Sequence, residues 1–350
     1  MKKATLGLLL LASSALAAPL EDRVYSLTGW NGGSPFPFQM YSGFIPVLGS
    51  TKNLHYMYID SQRDPTNDPL ILWFNGGPGC SSMLGFLQEH GPYIMDNGGT
   101  TFHKNEYSWN KEANMLYIEA PAGVGFSYCL DQRECVYNDN NQAFDNLYAL
   151  IYWYEEKFPE RKNNDLYLSG ESYAGIYVPT LAYRIDQHNL EWATDPTVFK
   201  PKLKGFFVGN AVTNWRFDTT NAYIEMGMWY GLLDTDTYEQ LYANDCPRQM
   251  EYFEFKADNM TEICKTLCSR FFELTKDINV YDVFGECYRP TGEEAFDTVE
   301  GPDGEVRTYK KFATALDYTP WLKRTNPLLY HRLKELPPCT FGVPIIKFLN

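Results

Sequence analysis

The chain is poor in positive charge, in histidine and in long apolar runs. It carries 30 lysines and arginines against 44 aspartates and glutamates, a formal net charge of −14 at pH 7. So acidic a surface argues against nucleic acid or an anionic membrane as a partner. The N-terminal apolar run, Leu6-Gly-Leu-Leu-Leu-Leu-Ala, is too short to span a bilayer. Preceded by Lys2-Lys3 and followed by Ala15-Leu-Ala17, it reads as a secretory signal over residues 1–17. Cleavage there would leave 28 basic against 44 acidic residues, or −16. Internal repeats and low-complexity segments are absent. Metal-ligand spacing is scarce too: Cys264-x3-Cys268 is the one such pair, has no histidine nearby and is flanked by Cys246 and Cys287. Eight cysteines in a secreted chain read as disulfides, whose pairing spacing alone leaves open, so no metal and no cofactor is expected.

What is present suffices for a sizeable core, since 44% of the 350 residues are hydrophobic and 16% aromatic. Gln39 to Val47 and Leu54 to Ile59 predict an antiparallel entry pair. Leu70-Ile-Leu-Trp-Phe74 is a continuous apolar run of the kind a strand buried on both faces shows. It ends in Asn75-Gly-Gly-Pro-Gly-Cys-Ser-Ser82, whose glycines let the backbone approach a ligand and turn its N–H groups inward. Met115 to Glu119 predicts another strand, and the apolar spacing from Phe144 to Tyr154 predicts a helix stopped before Pro159. A strand from Asp165, a helix to about Gln187 and a strand over Leu203 to Val208 complete a mostly parallel sheet covered on both faces, with ligands gathered at the strands' carboxyl ends.

The stretch Leu168-Ser-Gly170-Glu-Ser172-Tyr-Ala174-Gly175 joins a strand to a helix through small residues with a serine at the tip, a nucleophile elbow. A hydroxyl attacks an acyl carbon well only with a base to take its proton and donors to hold the oxyanion. The backbone N–H groups of Tyr173 and Gly77 are the candidate donors.

Trp73 to Ser82 and Gly170 to Gly175 together resemble the serine carboxypeptidases, with support from Tyr41-Ser-Gly43 and Gly123-Val-Gly-Phe-Ser127, over about Tyr41 to Cys339. The resemblance implies an α/β-hydrolase fold with an inserted, disulfide-stapled helical cap, and a protein that removes single residues from peptide or protein C-termini at acidic pH. The expected parts are a hydrolase core over 18–212, a cap over 213–338 and the start of a C-terminal core return over 339–350. Ser172 would be the nucleophile. Asn75, Gly76, Glu89 and Glu171 fall on the positions that bind the substrate's carboxylate, which requires that the glutamates hold protons. Binding should therefore weaken as pH rises, and Glu171→Gln should flatten that response. Cys80 would bridge Cys339, closing a loop of roughly 260 residues for about 5 kcal/mol at most.

In the family the triad's aspartate and histidine follow the Pro-Pro-Cys segment, whereas here eleven residues follow Cys339. The expectation is therefore a truncated chain lacking the last core strands and helices, with neither His188 nor His331 as base. A non-catalytic peptide-binding or protective member and an acyltransferase are the alternatives. Asn259-Met-Thr261 is a glycosylation sequon, and the destination is the secretory pathway, to lysosome, vacuole or exterior.

Overall fold

The computed structural model describes residues 18–27, 30, 36–96, 101–218, 220–249, 260–275, 278, 281, 283, 296–300 and 306–310. The signal region, Asn259, Cys287, His331 and Cys339 lie outside them. Strands β1 (Met40–Pro46) and β2 (Lys52–Ile59) form the expected antiparallel pair. They continue into β3 (Leu70–Phe74), the hairpin of β4 (Tyr93–Asp96) and β5 (Thr101–Lys104), β6 (Asn114–Ile118) and the two-residue β7 (Tyr128–Cys129). Helix α1 (Asp139–Tyr152), β8 (Leu166–Glu171), α2 (Ala174–Glu191) and β9 (Leu203–Gly209) follow.

The main sheet runs β1-β2-β6-β3-β8-β9, with β7 attached to β2. Only its β6-β3-β8-β9 portion is parallel, while β2 pairs antiparallel with β1, β6 and β7. The expectation of a mostly parallel sheet is corrected accordingly. Short turns join successive antiparallel strands, as from β1 to β2, whereas the parallel portion needs crossovers such as α1 and α2.

The period-2 alternation of the strands divides the core into two layers. On one face Tyr56, Leu72, Phe74, Leu116 and Leu168 meet Leu147, Leu150 and Trp153 of the α1 region and Val178, Leu181 and Ile185 of α2. On the other, Met57, Trp73, Met115 and Tyr117 meet Phe36, Phe38, Phe86, Leu87 and Tyr93. That second layer is closed by a π-helical turn, Gly85–Glu89, and by the β4–β5 hairpin rather than by a long helix. Among the described residues β9 is the outer strand, and its Phe206 and Phe207 are 49% and 43% exposed.

Beyond β9, α3 (Trp215–Asp218), α4 (Thr220–Trp229), α5 (Thr235–Ala243), α6 (Cys246–Gln249) and α7 (Glu262–Thr275) supply the helical cap. Ile224, Leu233, Leu241, Leu267 and Phe271 form its own small core, stapled by a Cys246–Cys264 disulfide. The stretch also holds an antiparallel pair, β10 (Phe296–Glu300) and β11 (Val306–Lys310), which the sequence reading did not mark. Five residues are too few for a periodic signal to separate a strand from a loop. A second disulfide, Cys129–Cys135, closes the loop after β7. Cys80 is buried and bonded to no other described cysteine, so its proposed link to Cys339 is not shown.

Candidate active site

Strand β8 ends at Glu171, and Ser172 turns the chain into α2 with φ of 58°, the left-handed region that a side chain rarely enters without constraint. The constraint comes from hydrogen bonds: the Ser172 N–H donates to the Gly209 carbonyl at 3.1 Å, and the Ser172 carbonyl accepts from Val212 and Gly175 at 2.8 and 3.0 Å. Small residues are obligatory around it. A Cβ on Gly170 would come within 2.5 Å of both the Ala174 Cβ and the Phe74 carbonyl oxygen, and one on Gly175 within 2.5 Å of the Val212 carbonyl oxygen. The alanine in fifth place is thus filled by contact with Gly170, and the following glycine serves the approach to Val212.

The glycine loop leaves β3 beside this turn, because β3 and β8 are parallel neighbours with Phe74 opposite Gly170. A Cβ on Gly76 would run into the Tyr173 nitrogen and the Ser172 Cβ, so the loop backbone lies directly against the elbow. Gly77 has φ of 115°, and the Cys80 N–H closes the turn on the Gly76 carbonyl at 2.9 Å. The Gly79 N–H donates to the Tyr177 hydroxyl of α2 at 3.2 Å, a second tie between loop and elbow helix.

Asn75 joins the loop to the acids. It is 1% exposed, and its Oδ1 accepts from Trp73 Nε1 at 2.8 Å and from the Gly85 N–H at 3.0 Å. Both partners are donors only, which orients the side chain and points Nδ2 at the carboxyls. Nδ2 donates to Glu171 Oε1 at 2.8 Å and to Glu89 Oε1 at 3.3 Å. Burial, reinforced by the charge of Glu171, pushes the Glu89 carboxyl up to about 8. Burial also raises Glu171, while hydrogen bonds from Glu89 and Asn75 oppose the rise. The pair therefore shares a proton above the ordinary carboxylate range. With one proton the pair carries a single negative charge, and a second proton taken up in acid would let it receive another carboxylate without like-charge repulsion.

The structure thus brings Ser172, Tyr173, Gly76, Gly77, Asn75, Glu89 and Glu171 into one place. His188 is elsewhere: at the far end of α2 its Nε2 meets the Phe199 carbonyl at 2.9 Å. Among the described residues no group of three His, Cys, Asp or Glu side chains could hold a metal ion. Trp73, Ser82 and Tyr177, which hold Asn75 and the loop in place, were not singled out from the sequence. Trp73, two residues before Asn75 and on the same side of the strand, was the available signal.

A mixed sheet whose parallel portion presents a strained serine between strand and helix, with a glycine loop at its side, defines an α/β-hydrolase. A family model described as serine carboxypeptidase matches residues 31–331, and the chain belongs to that family. It is 36% identical to serine carboxypeptidase-like 20 of Arabidopsis thaliana over 80% of this chain and 55% of that protein. It is 38% identical to the lysosomal protective protein of Mus musculus over 79% of this chain and 55% of that one. For serine carboxypeptidase 1 of Hordeum vulgare the identity is 37%, over 78% and 53%. The chain thus spans about half the length of the curated relatives it matches. Among solved structures it resembles a prohormone-processing carboxypeptidase from Saccharomyces cerevisiae, with TM-score 0.58 and 25% identity over 74% of this chain and 58% of that one.

Proposed function

We propose that this protein is a serine carboxypeptidase that releases C-terminal residues from peptides through an acyl-enzyme on Ser172, working best in acid. The observation that carries the reading is the proton-sharing Asn75–Glu89–Glu171 group at the elbow. It suits a substrate carboxylate beside the scissile bond. In this reading Ser172 Oγ attacks the terminal peptide carbonyl, the N–H groups of Gly77 and Tyr173 receive the oxyanion, and Asn75, the Gly76 backbone, Glu89 and Glu171 hold the terminal carboxylate. Among the described residues His55, His90 and His188 are hydrogen-bonded to groups other than Ser172.

Helices α3–α7 would lie over the site as a cap within 213–338, with the hydrolase core in 18–212. A signal over 1–17 and a glycan on Asn259 would place the protein in the secretory pathway. Its family relatives include a lysosomal protein by name. No described helix is long and apolar enough to cross a membrane.

The test is release of the terminal residue from an N-blocked dipeptide at about pH 5, against the same dipeptide amidated at its C-terminus. Release from the acid form, lost in Ser172→Ala, supports the reading. A non-catalytic peptide-binding member is the second reading, favoured by the placement of His188 away from the elbow. It would bind the acid form and release nothing.

A further inference from the structure

Glu119, the residue after β6, is fully buried and takes no part in the chemistry above. Its carboxylate accepts from the Ser81 hydroxyl, from the Phe126 N–H at 2.7 Å and from His55 Nδ1 at 3.0 Å. Gly125 has φ of 55°, and a Cβ there would run into the Glu119 carboxylate, so the backbone is shaped around this one acid. His55 is itself buried, with Nε2 and the Ser42 hydroxyl 2.8 Å apart. Three further bonds close the group: Glu119 N–H to the His55 carbonyl at 3.0 Å, His55 N–H to Ser127 Oγ at 2.7 Å, and Ser127 Oγ–H to the Glu119 carbonyl at 2.6 Å.

A serine, a histidine and an acid in line are the pattern that activates a nucleophile. Here Ser42 lies within paired strand β1, opposite Met57, with no turn to present it to a substrate. The line works from its other end. Ser81 follows the glycine loop, and its Oγ also accepts from the Met83 N–H at 3.1 Å, at the entry to the turn that carries Glu89. Its neighbour Ser82 accepts from the Asn75 N–H at 3.2 Å and donates to the Ile118 carbonyl at 2.7 Å. Both serines after the loop are thus held by the end of β6, one through backbone and one through the Glu119 carboxylate.

We propose that His55 and Glu119 are positioning residues that fix the glycine loop, and with it the oxyanion donor at Gly77, against the elbow. The inference rests on the reading of Ser172 as nucleophile and deepens it. Buried in a network whose members are all hydrogen-bonded, the carboxylate has one arrangement to adopt, and rigid donors are what oxyanion stabilisation requires.

The experiment compares the unmutated protein with Glu119→Gln, His55→Leu and His55→Asn, reading kcat and KM on a blocked dipeptide together with hydrogen exchange along the chain. Asparagine keeps an N–H near the Nδ1 position, and leucine removes it. The expected result is a fall of about ten- to a hundredfold in kcat for Glu119→Gln and His55→Leu with KM within about twofold. Exchange should rise over residues 76–83, and His55→Asn should recover most of both losses. Unchanged exchange over that segment, a loss spread evenly over the whole chain, or His55→Asn as impaired as His55→Leu would overturn the proposal. If the unmutated protein releases nothing from the dipeptide, the reading of function fails, and the exchange pattern still decides this one.

Discussion

Replacing Glu89 by glutamine tests the shared proton without requiring turnover. Burial and the Glu171 charge raise the Glu89 carboxyl from an ordinary 4.5 to about 8. Between those values the folded protein holds a proton that the unfolded chain has released. Its stability therefore falls as pH rises, by about 1.4 kcal/mol per unit. At pH 7 the loss reaches about 3 kcal/mol, a ceiling because the half-buried side chain is partly screened by solvent. Glutamine has no proton to retain. Glu89→Gln should thus gain little at about pH 4.5 and become progressively more stable than the parent toward pH 8, with a melting temperature higher by roughly 5 °C. Thermal melts of both proteins across that range, followed by circular dichroism, are the assay. A difference in melting temperature that stays constant with pH would refute the raised carboxyl.

The same titration predicts that affinity for a peptide carboxylate is greatest in acid and falls by about tenfold per pH unit above about pH 8, a limb that calorimetry should find missing in Glu89→Gln. Asn75→Ala strands the buried Trp73 Nε1–H and Gly85 N–H, and should cost roughly 3 kcal/mol in a urea titration. Gly170→Ala drives a methyl into Ala174 and the Phe74 carbonyl, and should destabilise by about 1 to 3 kcal/mol while displacing Ser172 and lowering kcat. Replacing both Cys129 and Cys135 by serine opens a loop with a separation of 6 residues, for which chain entropy gives about 2 kcal/mol, read from the same titration.

The parts of the site that demand glycine were legible in the sequence. Gly170, Gly175, Gly76 and Gly77 mark close backbone approaches, where any Cβ would force neighbouring atoms to shift. The parallel strands were legible as well, since Leu70–Phe74 and Leu166–Glu171 are apolar runs bounded by turns. Polar partnerships were not. Glu119 and His55 are 64 residues apart, Ser81 and Glu119 are 38 apart, and a hydrogen bond across such a distance leaves no periodicity to read. Beyond the entry pair β1–β2, the antiparallel pairing of β2 with β6 was hidden for a related reason. The run Met115 to Glu119 shows a buried strand but carries nothing to say that β2 runs opposite to it. The π-helical turn that places Glu89 is likewise set by packing of Phe86 and Leu87 into the second core layer, which local propensity does not foretell.

The most direct measurement is the site of covalent labelling by a fluorophosphonate, mapped by tandem mass spectrometry, with a blocked dipeptide or its C-terminal amide present as protectant. The account predicts a single adduct on Ser172, slowed by the dipeptide acid and not by the amide, with protection at about pH 5 stronger than at about pH 8. An adduct on another serine, or equal protection by acid and amide, would contradict it.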